Sequence, residues 1–282
     1  MMRGSCLCGD VAFEVSGPFA GMTHCHCSMC RKFHGSAFAT YTRAAGENFR
    51  WLAGESSVAS YASSEAGARR FCTRCGSAVP FFAGDGAAAF VPAGNLEEDP
   101  EVRPQAHIFV GSKAPWYEIT DALECFEAYP PGIDATEIER ETRTAETPGA
   151  VGGSCLCGAV AFEFEGTPLR MVNCHCSRCR RARSAAHASN LFIDAAGFRW
   201  LRGEERVKAY KLPAAARFAV AFCEICGSEL PRVIPGAERI NIPAGSLDDD
   251  PGVTPTLHIH VGSKAPWFEI SDQLPAYDEG VA

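Results

Sequence analysis

The sequence contains no apolar run near the ~18–20 residues that a membrane-crossing helix needs. Met1-Met2-Arg3 leads straight into Gly4-Ser5-Cys6, without the apolar core of a secretion signal. A cytoplasmic chain with no membrane partner is therefore expected. Positive charge is not in excess either: 26 Lys and Arg stand against 34 Asp and Glu, a formal charge of −8. A protein that grips nucleic acid through its phosphates concentrates basic residues, so no nucleic-acid partner is expected. With 46% hydrophobic and 21% charged residues, the composition also excludes collagen-like and largely disordered chains. Cysteine is what the sequence has in abundance, 15 in 282 residues. In a reducing compartment that number points to metal ligation before disulfides.

The chain is written twice. Residues 153–201 laid over 4–52 give 24 identities in 49 positions, and 223–270 laid over 72–119 give 24 in 48. The offset changes from 149 to 151 between Trp51/Trp200 and Cys72/Cys223, which places an indel in that segment. The period is far longer than that of a solenoid repeat, so two tandem domains are expected, each with its own core. We place them at residues 1–133 and 151–282. Residues 134–150 then form a polar, acidic linker, with a helical turn over Glu137–Arg143.

Within each copy the apolar period is two. Val11, Phe13 and Val15 alternate with Ala12, Glu14 and Ser16, as Val160, Phe162 and Phe164 do with Ala161, Glu163 and Glu165. Leu257, Ile259 and Val261 alternate with His258 and His260. Such short segments, bounded by Gly, Pro and Asp, read as half-buried strands. The expected fold class is mainly β, with a turn of helix at Ser28–Lys32. A core this small needs a staple, and the cysteines supply a candidate.

Fourteen of the fifteen cysteines match between copies. Each domain carries a C-x-C (Cys6/Cys8; Cys155/Cys157), a C-x-C-x-x-C (Cys25/Cys27/Cys30; Cys174/Cys176/Cys179) and a C-x-x-C (Cys72/Cys75; Cys223/Cys226). A closely spaced pair lets one turn aim two sulfurs at one ion, and two such turns complete a tetrahedron with Zn–S near ~2.3 Å. Gly9, Gly76, Gly158 and Gly227 follow these turns, where a residue with φ > 0 leaves amides free to face thiolates. Four thiolates close a structural site; three leave a position open for water or substrate. The natural division closes Cys6, Cys8, Cys72 and Cys75, and Cys155, Cys157, Cys223 and Cys226, leaving the two triads open. Spacing alone also permits a triad to close with one of the other pairs.

The runs Gly4-Ser5-Cys6-Leu7-Cys8-Gly9, Cys25-His26-Cys27-Ser28-Met29-Cys30-Arg31-Lys32 and Phe71-Cys72-Thr73-Arg74-Cys75-Gly76-Ser77 resemble the glutathione-dependent formaldehyde-activating enzyme family, which includes centromere protein V-like proteins. The match recurs in the second copy through Cys174-His175-Cys176-Ser177-Arg178-Cys179 and Phe222-Cys223-Glu224-Ile225-Cys226-Gly227-Ser228. The resemblance implies two tandem β-tent domains, each with up to two zinc ions. It implies a structural zinc on four cysteines, a second zinc on the triad, and carbon–sulfur lyase chemistry on S-(hydroxymethyl)glutathione. The catalytic candidates are then Cys25, Cys27, Cys30, Cys174, Cys176 and Cys179, with glutathione as co-substrate and a small thiol or aldehyde as partner. Two other readings use the same ligands: a non-catalytic zinc module for protein contact, and a thiol redox or metal-buffering protein.

Other residues are candidates by position. His26 and His175 lie inside the ligand loops, free to meet a cysteine sulfur, carry a proton or face solvent. His107 and His258 sit in matching His-Ile-x-Val-Gly-Ser-Lys-Ala-Pro-Trp segments, on the strand face opposite the apolar residues. These four are the candidate cofactor-binding histidines, a satisfied structural role being the alternative for His107 and His258. Lys113, Lys264, Arg31 and Arg180 could attract a carboxylate, Trp116 and Trp267 read as core, and Cys125 as an incidental buried thiol. Beside the triad the copies diverge: Phe33-His34-Gly35-Ser36-Ala37-Phe38 becomes Ala182-Arg183-Ser184-Ala185-Ala186-His187. The first copy is the expected seat of activity.

Overall fold

A computed structural model describes residues 1–64, 67–133 and 145–281. The helical turn expected over 137–143 lies outside the described residues. Among them are 22 strands and two α-helices, so the chain is mainly β. The first copy opens with a three-stranded antiparallel sheet of Met2–Ser5, Ala12–Val15 and Phe49–Ala53. A second sheet runs Glu124–Phe126, Pro104–Ile108, Met22–Cys25, Ala39–Ala45, Ala88–Pro92 and Phe81–Ala83. A hairpin, Val58–Ala62 with Ala68–Cys72, delivers the C-x-x-C turn. The second copy repeats this order except that its larger sheet has five strands, with no counterpart of Phe81–Ala83. Its counterpart hairpin, Val207–Lys211 with Ala219–Cys223, gains the short strand Glu229–Leu230.

Two pairings matter for the site. Pro104–Ile108 lies parallel to Met22–Cys25, with His107 opposite His24 and Ile108 opposite Cys25. His258–Ile259 lies likewise beside Arg170–Cys174, with Asn173 opposite His258 and Cys174 opposite Ile259. Each triad thus begins at the end of a strand flanked by a histidine-bearing neighbour.

The expected helical turn is a full helix, α1, over Ser28–His34, matched by α2 over Ser177–Arg183. Cys27 caps α1 by accepting from Cys30 N at 3.4 Å, an N-cap role that sulfur performs here in place of Ser or Asp. Arg31, Lys32 and His34 populate the last turn, as the helix dipole favours. Gly35 stops α1 at φ 58°, and Ser184 holds the same left-handed position at φ 52° despite its side chain.

The expectation of two separate cores is not met. One apolar cluster runs from Phe13, Met22, Phe38 and Trp116 into Phe162, Leu191, Ile242 and Trp267. The copies meet reciprocally, as in a two-fold dimer joined into one chain. Gly76 faces the Phe222 ring and Gly227 the Phe71 ring; a Cβ would come within 2.5 Å and 2.4 Å respectively. Gly94 receives the backbone of Ser184 and Ala185, and Gly245 that of Arg31 and Ser36. Lys32 pairs with Asp248, while Arg181 pairs with Glu97 at 3.5 Å. A Cβ at Gly245 would lie 2.3 Å from the Arg31 carbonyl oxygen, and backbone on that side cannot turn away as a side chain can. Gly245→Ala should therefore cost at least about 3 kcal/mol, the upper end of overpacking penalties. A denaturant midpoint within error of the parent would contradict this packing.

Two strand faces differ from the alternation read in sequence. Glu14 and Glu163 are 5% and 1% exposed, because Arg50 and Arg199 respectively cover them. His107 and His258 point inward at 1% and 2% exposure, while Leu257 and Ile259 are only half-buried. A strand with parallel neighbours on both sides is not bound to place its apolar set on the core face when polar partners wait inside.

Candidate metal centres

Four sulfur clusters form. The sulfurs of Cys6, Cys8, Cys72 and Cys75 all lie within 4.8 Å of one another, as do those of Cys155, Cys157, Cys223 and Cys226. Cys6 Sγ is 3.4 Å from Cys8 Sγ, which is 3.7 Å from Cys72 Sγ; the second copy gives 3.4 and 3.8 Å. Four sulfurs each ~2.3 Å from one zinc would stand ~3.8 Å apart. The Gly residues after the turns take φ between 72° and 78°, freeing the chain to curl around the sulfurs. Val11 N donates to Cys6 Sγ at 3.4 Å, and Val160 N to Cys155 Sγ at 3.2 Å. Ser77 and Ser228 tie the two turns together: each hydroxyl is 3.3 Å from the sulfur of its C-x-x-C turn, and each accepts from the amide between the two cysteines of the C-x-C. Reading by residue type missed these serines; the Gly-Ser that follows each C-x-x-C was the available signal. An all-sulfur, largely buried donor set at this spacing fits zinc.

The triads form separately. Cys25 ends its strand, Cys27 caps α1 and Cys30 sits in the first helical turn, with all three sulfurs within 4.8 Å; Cys174, Cys176 and Cys179 repeat the arrangement. Hydrogen bonds from Cys25 and Cys30 hold Cys27 well below the ordinary thiol range. Cys174 and Cys179 likewise lower Cys176 to about 2. One thiolate per triad, flanked by two further sulfurs, is an arrangement that receives a cation. The first triad is buried, with Phe109 and Met29 packed against it; in the second, Cys176 and Cys179 are half-exposed.

Behind each triad runs a histidine relay. His26 Nε2 is 2.8 Å from His107 Nδ1, and His107 Nε2 lies 3.0 Å from the Asp121 carboxylate. His175, His258 and Asp272 repeat both distances. Because a carboxylate only accepts, His107 Nε2 carries the proton that it donates. His107 Nδ1 then accepts from His26 Nε2–H. That leaves a bare lone pair on His26 Nδ1, an atom that is buried without a hydrogen-bond partner, as is His175 Nδ1. Burial, with His107, Lys113 and Arg31 adding to it, lowers His26 to about 3, so the ring is neutral at ordinary pH. Burial also lowers His175, with His187 and His258 contributing. Neither His26 nor His175 faces solvent. Asp121 and Asp272, which complete the relays, were absent from the residues singled out in sequence, because fourteen positions of irregular chain separate each from its histidine.

The remaining candidates fall into place around this site. His24 is buried, with Nδ1 2.8 Å from Thr40 Oγ1. Lys113 and Lys264 donate to the carbonyls of Tyr117 and Phe268 in their own turns. Arg180 Nε donates to Ser263 O at 3.3 Å, and Arg31 Nε is buried without a partner. Trp116 and Trp267 are core residues at 2% exposure. Cys125 is exposed, not buried. Where the copies meet, Thr120 Oγ1 and Ser271 Oγ are 2.6 Å apart, and beside them opens a groove of about 690 Å³. Lys113, Tyr117, Asn173, Thr254, Asp272 and Gln273 help to line it. Tyr117 stacks on His26 with ring centres 5.7 Å apart, and Asp272 ends the second relay.

A duplicated, mainly β protein with four cysteine clusters of metal-ligand type, two of them backed by a histidine relay, is the class that fold and site define. The chain belongs to the glutathione-dependent formaldehyde-activating enzyme family, whose model matches residues 1–112 and 150–263, one match per copy. It is 28% identical over 140 residues to a protein of Halomonas elongata named "Putative glutathione-dependent formaldehyde-activating enzyme", spanning 46% of this chain and 89% of that one. A crystal structure of a Rhodobacter sphaeroides protein is 26% identical, covering 37% of this chain and 97% of its own with a TM-score of 0.28. Among the described residues no helix is long and apolar enough to cross a membrane.

Proposed function

We propose that this protein is a zinc-dependent carbon–sulfur lyase of the S-(hydroxymethyl)glutathione synthase type, joining the glutathione thiol to formaldehyde reversibly. Cys6, Cys8, Cys72 and Cys75, with Cys155, Cys157, Cys223 and Cys226, would hold structural zinc. Cys25, Cys27 and Cys30, with Cys174, Cys176 and Cys179, would hold the catalytic ions, up to four zinc per chain. Zinc, when bound to a triad, supplies a Lewis-acid position for a substrate sulfur or oxygen.

The observation that carries this reading is the buried, unpartnered Nδ1 of His26, repeated at His175. Addition forms one S–C bond and moves the thiol proton to the former carbonyl oxygen. His26 Nδ1 has the lone pair to take that proton and, being a weak base after burial, gives it up readily. His107 and Asp121 fix the tautomer and spread the transient charge toward the surface. Phe109 and Met29 keep water from the first triad. The groove between the copies lies in the size range of small-molecule sites and suits a small peptidic thiol.

Exchange between formaldehyde and its glutathione adduct, followed by NMR, tests the reading as a rate above the spontaneous reaction. His107→Gln, with the second triad removed, should lower that rate about 10²-fold, keep the zinc content and change the pH–rate profile. An enzyme-independent exchange rate in the zinc-loaded parent would remove the reading.

A further inference from the structure

The two triads meet different surroundings. In the first copy the Arg69 guanidinium donates from Nη1 to Cys30 Sγ at 3.3 Å, and its Nε is buried without a hydrogen-bond partner. Burial opposes this charge, but Cys30, Tyr41 and Cys27 more than offset it and hold Arg69 above its ordinary range. Tyr41 OH bonds His34 Nε2 at 2.8 Å, and His34 Nδ1 donates to the Arg183 carbonyl in the other copy at 2.6 Å. The cation is thus wedged against the first triad by a chain of contacts anchored across the copy interface.

None of this survives in the second copy. The counterpart of Arg69 is Val220, that of Tyr41 is Asn190, and that of His34 is Arg183. Arg183 does not restore the missing charge, because its guanidinium pairs with Glu229, the residue at the position of Ala78. The rim differs as well. Phe109 and Tyr129, with ring centres 4.6 Å apart, stand where the second copy has His260 and Gly280. The His260 ring makes no hydrogen bond to the described residues and lies against Gly280, where a Cβ would come within 3.4 Å of its Nε2.

Charge decides what each triad accepts. Three thiolates around a divalent ion sum to −1, and an anionic sulfur as fourth ligand makes −2. Arg31 and Arg180 stand in charge range of a triad sulfur in the first and second copy respectively, so Arg69 is the added charge that only the first site has. The second site, with Val220 at the position of Arg69, has no such hydrogen-bonded guanidinium among the described residues.

We infer that Arg69 is a specificity-determining residue: with it the first triad takes an anionic thiolate as fourth ligand, and without it the second takes a neutral donor. The inference rests on the reading that the triads hold a divalent metal. It assigns the thiol-adduct chemistry to the first copy.

Full-length protein loaded with Co²⁺ tests this one triad at a time, in a Cys174→Ser/Cys176→Ser background and in a Cys25→Ser/Cys27→Ser background. The probes are 2-mercaptoethanol and imidazole, followed by the visible cobalt bands over the constant signal of the four-cysteine sites. With only the first triad present, the thiol should bind; Arg69→Met should weaken it about tenfold at unchanged cobalt content, and Arg69→Lys should recover part of the loss. With only the second triad present, imidazole should be preferred, and Val220→Arg should raise thiol affinity. Equal thiol affinity at the two parent triads, or an Arg69→Met protein that binds thiol as the parent does, would overturn the inference. Absence of triad cobalt in both parents would instead remove the metal reading beneath it, and is seen before any probe is added.

Discussion

Cys72→Ser is expected to unfold the entire chain in one step, not its first half alone. Removing one of four ligands takes away the metal-coupled part of folding, which for structural zinc at neutral pH amounts to about 10–16 kcal/mol in small domains. That exceeds the roughly 5–15 kcal/mol by which ordinary domains are stable at all. The cluster is also tied to the other copy. Cys72 and Cys75 pack with Tyr210 and Val220, and Gly76 beside them seats the Phe222 ring. Since the main apolar cluster runs through both copies, loss of one four-cysteine centre should propagate. Circular dichroism with zinc counted per chain makes the measurement. Cys25→Ser/Cys27→Ser serves as the contrast: it should lose one zinc and keep the parent's fold, because only the strand end and α1 carry that triad. Two resolved unfolding transitions in Cys72→Ser would show that the copies are energetically separate. Unfolding in both variants would erase the distinction between closed and open centres.

The sequence made the cysteine turns and the duplication legible because both are local patterns. Spacing such as C-x-C constrains its own turn, and the glycines behind it report the φ > 0 that the structure adopts. The partition into clusters of four and three was only one of the divisions that spacing allows, and the fold decides it by bringing the C-x-C and C-x-x-C sulfurs together apart from the triad. What stayed hidden depends on distant chain. Nothing in the sequence singles out Arg69, and only the fold sets its guanidinium against Cys30, 39 positions away. Asp121 is no more marked than its acidic neighbours until the parallel pairing of His107 with His24 brings its histidine inward. The inward turn of His107 and His258 defeated the period-two rule because that rule assumes apolar residues claim the buried face. Here an imidazole–carboxylate relay satisfies the polar atoms inside. The joining of the copies was illegible too, because Gly94 and Gly245 resemble ordinary turn glycines until another backbone is found against them.

Acid should destabilise this molecule from about pH 6.5 downward, and two buried histidines that are not themselves metal-ligand candidates account for part of that. His34 and His187 are 0% and 2% exposed. Burial is the chief cause that lowers His34 to about 4 and His187 to about 3, from 6.5 when exposed. His34 faces Tyr41, Arg69 and the Arg183 carbonyl; His187 faces His175, His258, Phe38 and Phe268. Neither meets a carboxylate that would welcome its proton. The unfolded chain binds protons at these positions below pH 6.5, whereas the folded chain resists until pH 4 or 3, so stability falls as pH drops through that window. At 1.36 kcal/mol per unit the two groups forgo about 3 and about 5 kcal/mol by pH 3, while above pH 6.5 they contribute no pH dependence. The first copy suggests the variant that isolates the effect, since its Phe38 stands where the second has His187. His187→Phe should move the acid unfolding midpoint downward, leaving zinc release against pH in the metal-loaded state unchanged. A midpoint that tracks zinc release in both proteins would instead assign acid lability to protonation of the thiolates.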